Sequence, residues 1–343
     1  MKKSAIVVFP GRGTYGREEL GYLSRHHADK ADFISSVDQW RAQNGRETVG
    51  ALDSAESYAA AKHASSVNAS TIIYACALAD FAAIDRDAYD IVGVCGNSLG
   101  WYLTLAGAGA LNPANAIRLV DTMGALMEAE GVGGQLVYPF VDEDWRDSGA
   151  RMKAIGEALH AGRTKGQAFL SIRLGGMAVL AGDEAGLAAM EKSLPKAEDR
   201  YPFRLARHAA FHTPLLAHVS QAAFDALGPE LFAAPRLPMI DGRGKIWTPH
   251  ATDLDALYHY TLGHQIVETY DFSKSLEVAV KEFAPDKLIL AGPGATLGAP
   301  IAQELIRHRW RGLASKADFA AMQKEDPFLI AMGRNDQRAL ATG

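Results

Sequence analysis

One serine in this chain lies between two glycines where an apolar stretch gives way to a helical one. Residues 89–96 (YDIVGVCG) read as a buried strand, and SLGWYLTLAGAGAL after them reads as a helix. Ser98 is therefore at a strand-to-helix turn, in the pattern G-x-S-x-G with Gly96 and Gly100. Such a turn exposes the hydroxyl and directs the first helical N–H groups at an oxyanion, which predicts a nucleophile. The alternative is that the glycines only allow close packing and Ser98 is an N-cap.

Strands and helices alternate along most of the chain. Residues 4–9 (SAIVVF) form a predicted strand that ends at Pro-Gly, and helical segments follow over residues 17–88. Asn112 is a predicted N-cap with Pro113 in the first turn of a further helix. Near the C-terminus, KLILAGPGATLGAPIAQELIR returns to a strand, a glycine turn and a helix. This alternation predicts an α/β fold with a parallel sheet, similar to the core of α/β-hydrolases.

The middle of the chain has shorter elements in the order β-α-β-α, beginning at GGQLVYPFV. This order fits a small ferredoxin-like (split βαβ) domain inserted in the larger one. We therefore expect a large α/β domain from residues 1–129 and 208–312, and the small domain from residues 130–207. Residues 313–343 are polar and are predicted to form a surface helix with a loose end.

Composition excludes several classes of function. The net charge of −5 is spread without runs, so we expect no nucleic-acid partner. Cys76 and Cys95 cannot form a disulfide framework, and no Cys/His cluster has the spacing of metal ligands. The apolar run after MKKS is too short for a signal peptide, and no stretch approaches the roughly 18 apolar residues of a membrane span. We expect a cytoplasmic protein without a membrane partner.

A serine nucleophile needs a base, and the chain has 11 histidines. His26, His27 and His63 lie in polar helical contexts and are expected to be solvated. His212, in RHAAFHTPLL, follows a small apolar run and precedes Thr-Pro, a loop-edge position typical of catalytic residues. Spacing alone does not separate His212 from His208.

Four motifs across residues 5–312 together resemble the malonyl-CoA:acyl carrier protein transacylase family, which includes the acyltransferase domains of fatty acid and polyketide synthases. VVFPGRGTYG is similar to F-P-G-Q-G-S-Q, and GNSLGWYLTLAGAGAL to G-H-S-L-G-E-Y-x-A-L-x-x-A-G. AAFHTPLL resembles A-F-H-S-P-L, and LAGPGATLG resembles E-x-G-P-G-x-x-L. The resemblance implies Ser98 as nucleophile, His212 as base, and the backbone N–H groups of Leu99 and Arg12 as oxyanion donors.

The resemblance also implies ping-pong acyl transfer, in which Ser98 takes an acyl group from coenzyme A and passes it to the phosphopantetheine thiol of an acyl carrier protein. A backbone carbonyl near a glutamine that matches Gln265 orients the imidazole; otherwise Gln265 would be a surface helix residue. The acyl-coenzyme A thioester is a substrate, and no tightly bound cofactor is expected. We expect a monomer.

One departure from the family pattern bears on the acyl group. Malonyl-using members carry an arginine that pairs with the free carboxylate of the substrate, in a segment like R-L-V-x-x-R-G. Here the segment reads RLVDTMGALM, and the position is Met123. A thioether cannot pair with a carboxylate, and an unpaired carboxylate in a partly dry pocket costs several kcal/mol. An acyl group without a carboxylate is therefore expected.

Other departures fall around the same pocket. Asn97 replaces a histidine, Arg12 a glutamine and Arg173 an asparagine, so these residues are candidate substrate contacts. Arg12 or Arg173 could instead supply the missing positive charge for malonyl, or meet the phosphates of coenzyme A or the carrier protein. Phe211 beside His212 would crowd the α-carbon of the acyl group and favour unbranched groups.

Three other functions stay open on the sequence. The same serine and histidine could hydrolyse stalled acyl groups from carrier proteins. An unrelated α/β-hydrolase esterase would need a histidine near the C-terminus, for which His308 is poorly placed. A non-catalytic relative that binds carrier proteins would have no need of Ser98 or His212.

Overall fold

The computed structural model describes residues 1–343 as two β-sheets with helices packed around them. The strands are β1 (Lys3–Phe9), β2 (Tyr89–Gly96), β3 (Gly134–Pro139), β4 (Ala168–Leu174), β5 (Met177–Gly182), β6 (Phe203–Arg204), β7 (Met239–Ile240), β8 (Ile246–Trp247), β9 (Tyr270–Asp271), β10 (Lys287–Leu290) and β11 (Leu329–Ala331).

The helices, in chain order, are α1 (Tyr22–His26), α2 (Ala31–Gln43), α3 (Val49–Asp53), α4 (Ala60–His63), α5 (Ser66–Ala83), α6 (Gly100–Gly107), α7 (Pro113–Glu130), α8 (Gly149–Lys165), α9 (Glu184–Ser193), α10 (Ala217–Ala226), α11 (Leu254–His259), α12 (Gln265–Val267), α13 (Phe272–Phe283), α14 (Gly298–Arg307), α15 (Lys316–Glu325) and α16 (Asn335–Thr342). A π-helical turn, Tyr260–His264, joins α11 to α12. Short 3₁₀ turns cover Arg17–Glu19, Ala28–Lys30, Pro214–Leu216, Pro229–Leu231 and Trp310–Gly312.

The larger sheet has the strand order β11-β10-β1-β2-β7-β8, and every pair in it is parallel except β7 with β8. Residues 5–9 of the central strand β1 are fully buried, as expected for a strand covered by helices on both faces. The predicted parallel α/β core is confirmed. Ser98 follows the carboxyl end of β2, beside β1, at the edge where sites form in such sheets.

Two long helices, α5 and α7, pack against each other and against α6, beside the serine turn. The side chain of Asn112 accepts a hydrogen bond from the N–H of Asn115 at 2.9 Å, so the predicted N-cap of α7 is confirmed. Helix α5 is long and apolar enough for a membrane span, with a mean hydropathy of 1.2, which the sequence reading overlooked. However, 67% of its residues are buried in the protein.

The smaller sheet has the order β6-β3-β5-β4-β9. Its elements follow the chain as β3-α8-β4-β5-α9-β6 with antiparallel pairing, so the predicted ferredoxin-like domain is confirmed. The stretch AFLSIRLGGMAVLAG is a hairpin, whose turn places Gly175 at φ +62°. Strand β9 comes from the large domain and pairs in parallel with β4, so the two domains share a sheet.

The C-terminal segment 313–343 is not the loose surface helix that the sequence predicts. Strand β11 pairs in parallel with β10 and extends the large sheet, with α15 and α16 on either side of it in the chain. Leu329, Ile330 and Ala331 are all buried. Three residues are too few for a periodic pattern, so the strand could not be recognised from local sequence.

A buried polar cluster attaches α16 to the large domain. The carboxylate of Asp80 lies 2.7 Å from Arg338 and 2.8 Å from both His27 and the Tyr22 hydroxyl. Its partners offset the cost of removing that charge from water. His27 is fully buried here and His63 is 1% exposed, so the expectation that both are solvated is wrong. A helical sequence context does not show which side chain meets a buried partner from a distant part of the chain.

Candidate active site

Ser98 lies at a sharp turn between β2 and α6. It adopts φ +56°, a left-handed conformation that costs a non-glycine residue about 1–3 kcal/mol. A Cβ at Gly96 would lie 2.3 Å from the carbonyl oxygen of Gly100, and a Cβ at Gly100 would lie 2.4 Å from that of Phe9. Both glycines are therefore required by close backbone contacts. The turn has the form of a nucleophile elbow, which holds the hydroxyl away from the sheet.

His212 lies beside this hydroxyl. The Nε2 atom of His212 is 2.7 Å from Ser98 Oγ, and its Nδ1 atom is 2.6 Å from the backbone carbonyl oxygen of Gln265. A carbonyl only accepts hydrogen bonds, so Nδ1 carries the proton and Nε2 is free to accept the proton of Ser98. His208, which the sequence could not separate from His212, instead contacts Gln135 at 2.8 Å. The geometry is that of a serine and a general base.

The side chain of Gln265 is hydrogen-bonded to both Ser98 and Tyr102. Its side-chain nitrogen donates to the carbonyl oxygen of Ser98 at 3.2 Å, and its side-chain oxygen accepts from the Tyr102 hydroxyl at 3.1 Å. It is 3% exposed, directly after the π-helical turn. The structure thus brings Gln265 to Ser98 and His212, in place of the alternative surface position.

Burial controls the protonation of the two histidines near the serine. It lowers the pKa of His212 to about 4, against the opposing effect of the hydrogen bond to Gln265. Burial and the nearby positive charge of Arg12 lower the pKa of His208 to about 3. Both imidazoles are therefore neutral at pH 7, and His212 is in the form that accepts a proton.

The two backbone N–H groups predicted to donate to the oxyanion have no hydrogen-bond acceptor within the protein. Neither the backbone N–H of Leu99 nor that of Arg12 donates to an acceptor in the chain. Leu99 caps the N-terminus of α6, where the aligned peptide dipoles favour negative charge. Their role as oxyanion donors stays a prediction.

A cavity lies in front of Ser98. Met123 and Met127 from α7, together with Phe211 and Ile266, form its apolar wall. Met123 is only 2% exposed and belongs to the main hydrophobic core. Met123 and Phe211 thus both line the Ser98 cavity, and their contact with an acyl group stays a prediction.

Arg12 also lines the cavity, but the protein occupies most of its donors. Nη1 donates to Ser66 Oγ at 2.9 Å, and Nη2 donates to the carbonyl oxygens of Ala64 at 3.0 Å and Arg207 at 3.3 Å. The guanidinium carbon lies 5.2 Å from the ring centre of Phe211. Nε is buried without a partner. Burial lowers the pKa of Arg12 to about 10, so the group stays charged at pH 7.

The structure corrects two of the predicted substrate contacts. Arg173 is exposed at a second cavity, where its Nε lies 3.5 Å from Asp271, its neighbour in the β4–β9 pairing. Asn97 is buried and does not line the Ser98 cavity: a Cβ at Gly11 would lie 2.9 Å from its side-chain nitrogen. The sequence assigns Asn97 to the pocket because it precedes Ser98 and Arg173 because its segment matches one of the family, but strand pairing and backbone packing decide where their side chains lie.

The second cavity also contains His308, whose Nε2 is 3.3 Å from Glu304. His308 is therefore not a partner of Ser98, as the esterase hypothesis would require. No group of three or more His, Cys, Asp or Glu side chains is arranged to hold a metal ion.

Sequence reasoning missed three polar residues that line the Ser98 cavity, namely Ser66, Ser70 and Tyr102. Ser66 and Ser70 are four residues apart on helix α5. That spacing puts them on one helix face and was the available signal.

Comparisons with known proteins bear on the fold. No protein-family model and no curated protein matches this chain. A solved malonyl-CoA:acyl carrier protein transacylase from Xanthomonas oryzae is 18% identical, with a TM-score of 0.76 over 99% of this chain and 98% of that one. The transacylase of Synechocystis is also 18% identical, with a TM-score of 0.74 over 99% of this chain and 100% of that one.

A type II polyketide synthase malonyl-transacylase, solved in complex with its acyl carrier protein, is 18% identical to this chain. Its TM-score is 0.72, over 99% of each chain. At this identity the likeness establishes the fold, and the resemblance predicted from the four motifs is confirmed at that level.

Proposed function

We propose that this protein is an acyltransferase that moves an acyl group from coenzyme A to an acyl carrier protein through a covalent intermediate on Ser98. The observation that carries the proposal is the hydrogen-bond chain from Ser98 through His212 to the Gln265 carbonyl, in a fold shared with malonyl-CoA:acyl carrier protein transacylases. The complex of one such transacylase with its carrier protein supports a partner of this kind.

In the first half-reaction, Nε2 of His212 takes the Ser98 proton while Oγ attacks the thioester carbonyl. The N–H groups of Leu99 and Arg12 donate to the oxyanion, each contributing about 3–4 kcal/mol. The carbon–sulfur bond then breaks, and the coenzyme A thiolate takes the proton from His212. In the second half-reaction, His212 takes the proton of the phosphopantetheine thiol, whose sulfur attacks the acyl-serine carbonyl. The bond between the acyl carbon and Oγ then breaks, and Ser98 takes the proton back from His212. No resident cofactor is needed.

We propose further that the acyl group is short and carries no carboxylate. Met123 offers no charge to pair with a carboxylate, and Arg173 lies at another cavity. Arg12 directs its terminal nitrogens at Ser66 and two backbone carbonyls, and its remaining nitrogen is buried. These contacts favour an uncharged group over malonyl held by a relocated arginine. Phe211, beside the reacting atoms, favours an unbranched chain.

The test is intact-mass measurement of the protein after exposure to acetyl-, butyryl- and malonyl-coenzyme A. We expect an acyl adduct from the uncharged thioesters, its loss in Ser98→Ala, and its transfer to a holo acyl carrier protein added afterwards. An adduct that survives Ser98→Ala would contradict the mechanism. Preference for malonyl would contradict the proposed acyl class and leave the mechanism standing.

Hydrolysis is the alternative outcome of the same acyl-enzyme. Water in place of the carrier thiol would release free acid, as in an editing hydrolase. The solved structures reported above are described as transacylases, which supports transfer instead. Measuring free acid against acyl carrier protein product separates the two reactions. We propose a cytoplasmic location, where coenzyme A thioesters and carrier proteins meet.

A further inference from the structure

We infer that the small domain holds His212 in its reactive position, with Gln135 and Ser171 acting as positioning residues. The inference rests on the proposed function, because it takes His212 as the base that activates Ser98. Gln135, on β3, is 2% exposed, and Ser171, on β4, is fully buried. Neither lines the cavity in front of Ser98, so an effect on the reaction has to pass through His212.

A row of three hydrogen bonds links the small sheet to the segment that carries His212. The first and last bonds reach that segment, and the middle one lies within the sheet. Nδ1 of His208 lies 2.8 Å from Oε1 of Gln135. The Gln135 amide nitrogen donates to Ser171 Oγ at 2.6 Å, and the Ser171 hydroxyl donates to the Phe211 carbonyl at 2.7 Å. The row begins at His208 and ends at Phe211, so both ends of one short segment are fastened to β3 and β4.

The donors in this row all point the same way. The amide nitrogen of Gln135 faces Ser171, so its oxygen is the acceptor for His208. His208 is neutral at pH 7 and donates through Nδ1–H. Ser171 accepts from Gln135, and its single proton is left for the Phe211 carbonyl. Every member is satisfied, and such a connected buried network specifies one arrangement.

The last bond of the row acts on the peptide plane that precedes His212. His212 has φ +57°, a left-handed conformation that a non-glycine residue keeps only when its surroundings hold it. The Phe211 carbonyl belongs to the peptide group that joins Phe211 to His212. The φ of His212 is the rotation about the N–Cα bond that follows this peptide group. Fixing that carbonyl therefore fixes the direction in which the imidazole projects towards Ser98. Without the Ser171 bond, the peptide can rotate towards ordinary φ values and carry Nε2 away from Oγ.

The large domain supports the same segment from its other side. Arg12 donates to the Arg207 carbonyl at 3.3 Å, and its guanidinium lies against the Phe211 ring. Neither contact reaches the Phe211 carbonyl, whose donor is Ser171. The small domain thus fixes the backbone from which His212 projects, while the Gln265 carbonyl of the large domain holds its ring at Nδ1.

The experiment compares Ser171→Ala with the control Ser275→Ala. Ser275 is equally buried, and its hydroxyl also donates to a backbone carbonyl, that of Ile240 at 3.3 Å. Each full-length protein is treated with a fluorophosphonate, which forms a phosphorus–oxygen bond to an activated serine and loses fluoride. The rate of Ser98 labelling is followed by intact mass between about pH 5 and pH 9. This probe needs no coenzyme A, so the acyl group does not have to be known.

We expect Ser171→Ala to label roughly 10- to 100-fold more slowly than wild type, the effect of a base displaced by about 1 Å. Its labelling rate should also fall as the pH drops below about 6.5, because a displaced and hydrated imidazole regains its ordinary pKa. In wild type the pKa of about 4 keeps the rate constant over that range. Ser171→Thr keeps the hydroxyl and should restore both the rate and the pH profile. Ser275→Ala should match wild type.

A wild-type rate and pH profile in Ser171→Ala would overturn the inference, and so would equal slowing in both alanine variants. Should Ser171→Ala fail to fold, Gln135→Met decides, because it breaks the bonds to His208 and to Ser171 with a side chain of similar length. Wild-type labelling in Gln135→Met would then overturn the inference. Failure of the proposed function would look different: wild type would label with the fluorophosphonate but form no acyl adduct from acyl-coenzyme A.

Discussion

The two ends of the Ser98 cavity keep the transacylase pattern to very different degrees. At the reacting end, Ser98, His212 and Gln265 form a continuous row of hydrogen bonds of 2.7 and 2.6 Å. At the acyl end, where we propose that the acyl group binds, Met123 occupies the position that the sequence resemblance matches to an arginine of malonyl-using members, and Arg12 is turned towards protein acceptors.

The difference follows from what each end depends on. The reacting end depends on backbone conformation: Ser98 and His212 both have positive φ, and Gly96 has no room for a Cβ. The acyl end is built from side chains such as Met123 on the regular helix α7. One end can therefore change by ordinary substitution while the other cannot, which separates the reaction from the choice of acyl group.

The largest effect is expected from breaking the reacting end. His212→Ala removes the base and should slow Ser98 acylation by about 1,000-fold, within the usual range for general base catalysis. Stopped-flow release of coenzyme A measures the rate. His208→Ala is the comparison and should cost less, at most the roughly 10- to 100-fold expected for a displaced base, because that imidazole contacts Gln135 and not Ser98. Equal losses in the two variants would contradict the assignment of the base.

A smaller loss tests whether the elbow backbone is as intolerant as its contacts indicate. Gly96→Ala would place a Cβ 2.3 Å from the Gly100 carbonyl, so the turn has to shift. We expect roughly 100-fold slower acylation from the displaced hydroxyl, with about 1–3 kcal/mol less stability from overpacking. Met123→Leu, a swap of similar volume, should leave both nearly unchanged. Acylation kinetics and urea denaturation are measured for both variants. Wild-type acylation and stability in Gly96→Ala would contradict the proposed difference between the two ends of the cavity.

A gain of function sharpens the comparison at the acyl end. Arg12→Gln with Met123→Arg restores both family residues and supplies a charged partner for a carboxylate. We expect malonyl transfer to rise by about 10-fold or more relative to acetyl transfer, since a hydrogen bond to a charged group contributes about 1.5–3 kcal/mol. Competition between malonyl- and acetyl-coenzyme A for Ser98 gives the ratio. An unchanged ratio in the double variant would show that Met123 does not set the acyl preference.

The smallest effect concerns pH. The pKa of His212 lies at about 4, below its ordinary value, so acylation should stay constant from pH 6 to pH 8 and fall only on approach to pH 4. His208 and His212 both stay neutral when folded but bind protons when unfolded. Stability should therefore decrease as the pH falls from 6.5 towards 4. Chemical denaturation at several pH values measures this, and a rate that titrates near pH 6.5 would contradict a buried base.

Local motifs were enough to predict the reacting end but not the surroundings. The elbow and the histidine can be recognised from short motifs. The glycines lie within two residues of Ser98, and His212 lies within the run Phe-His-Thr-Pro. Gln265 was found by resemblance, and only the structure shows that its own carbonyl holds His212. The misplaced residues depend on distant pairings: Arg173 on the register of β4 with β9, and His27 on Asp80.

The same limit explains the C-terminal strand and the contact between Ser171 and Phe211. Strand β11 is stable because it adds to β10, and its three residues carry no period of their own. In the sequence, Ser171 is an ordinary serine of a predicted strand. In the fold it donates a hydrogen bond to the carbonyl of Phe211, 40 residues later in the chain. Long-range partners of this kind are decided by packing and are absent from any window of sequence.

The crowding of Gly96 and Gly100 has a practical consequence for protein engineering. A mutant library that randomises Gly96 and Gly100 would consist mainly of destabilised members, because a Cβ at either position would meet a carbonyl group. Randomising positions 123 and 127 on α7 leaves the main chain undisturbed and alters only the volume and polarity offered to the incoming thioester. Directed evolution of new building blocks for carrier proteins should begin on that helix.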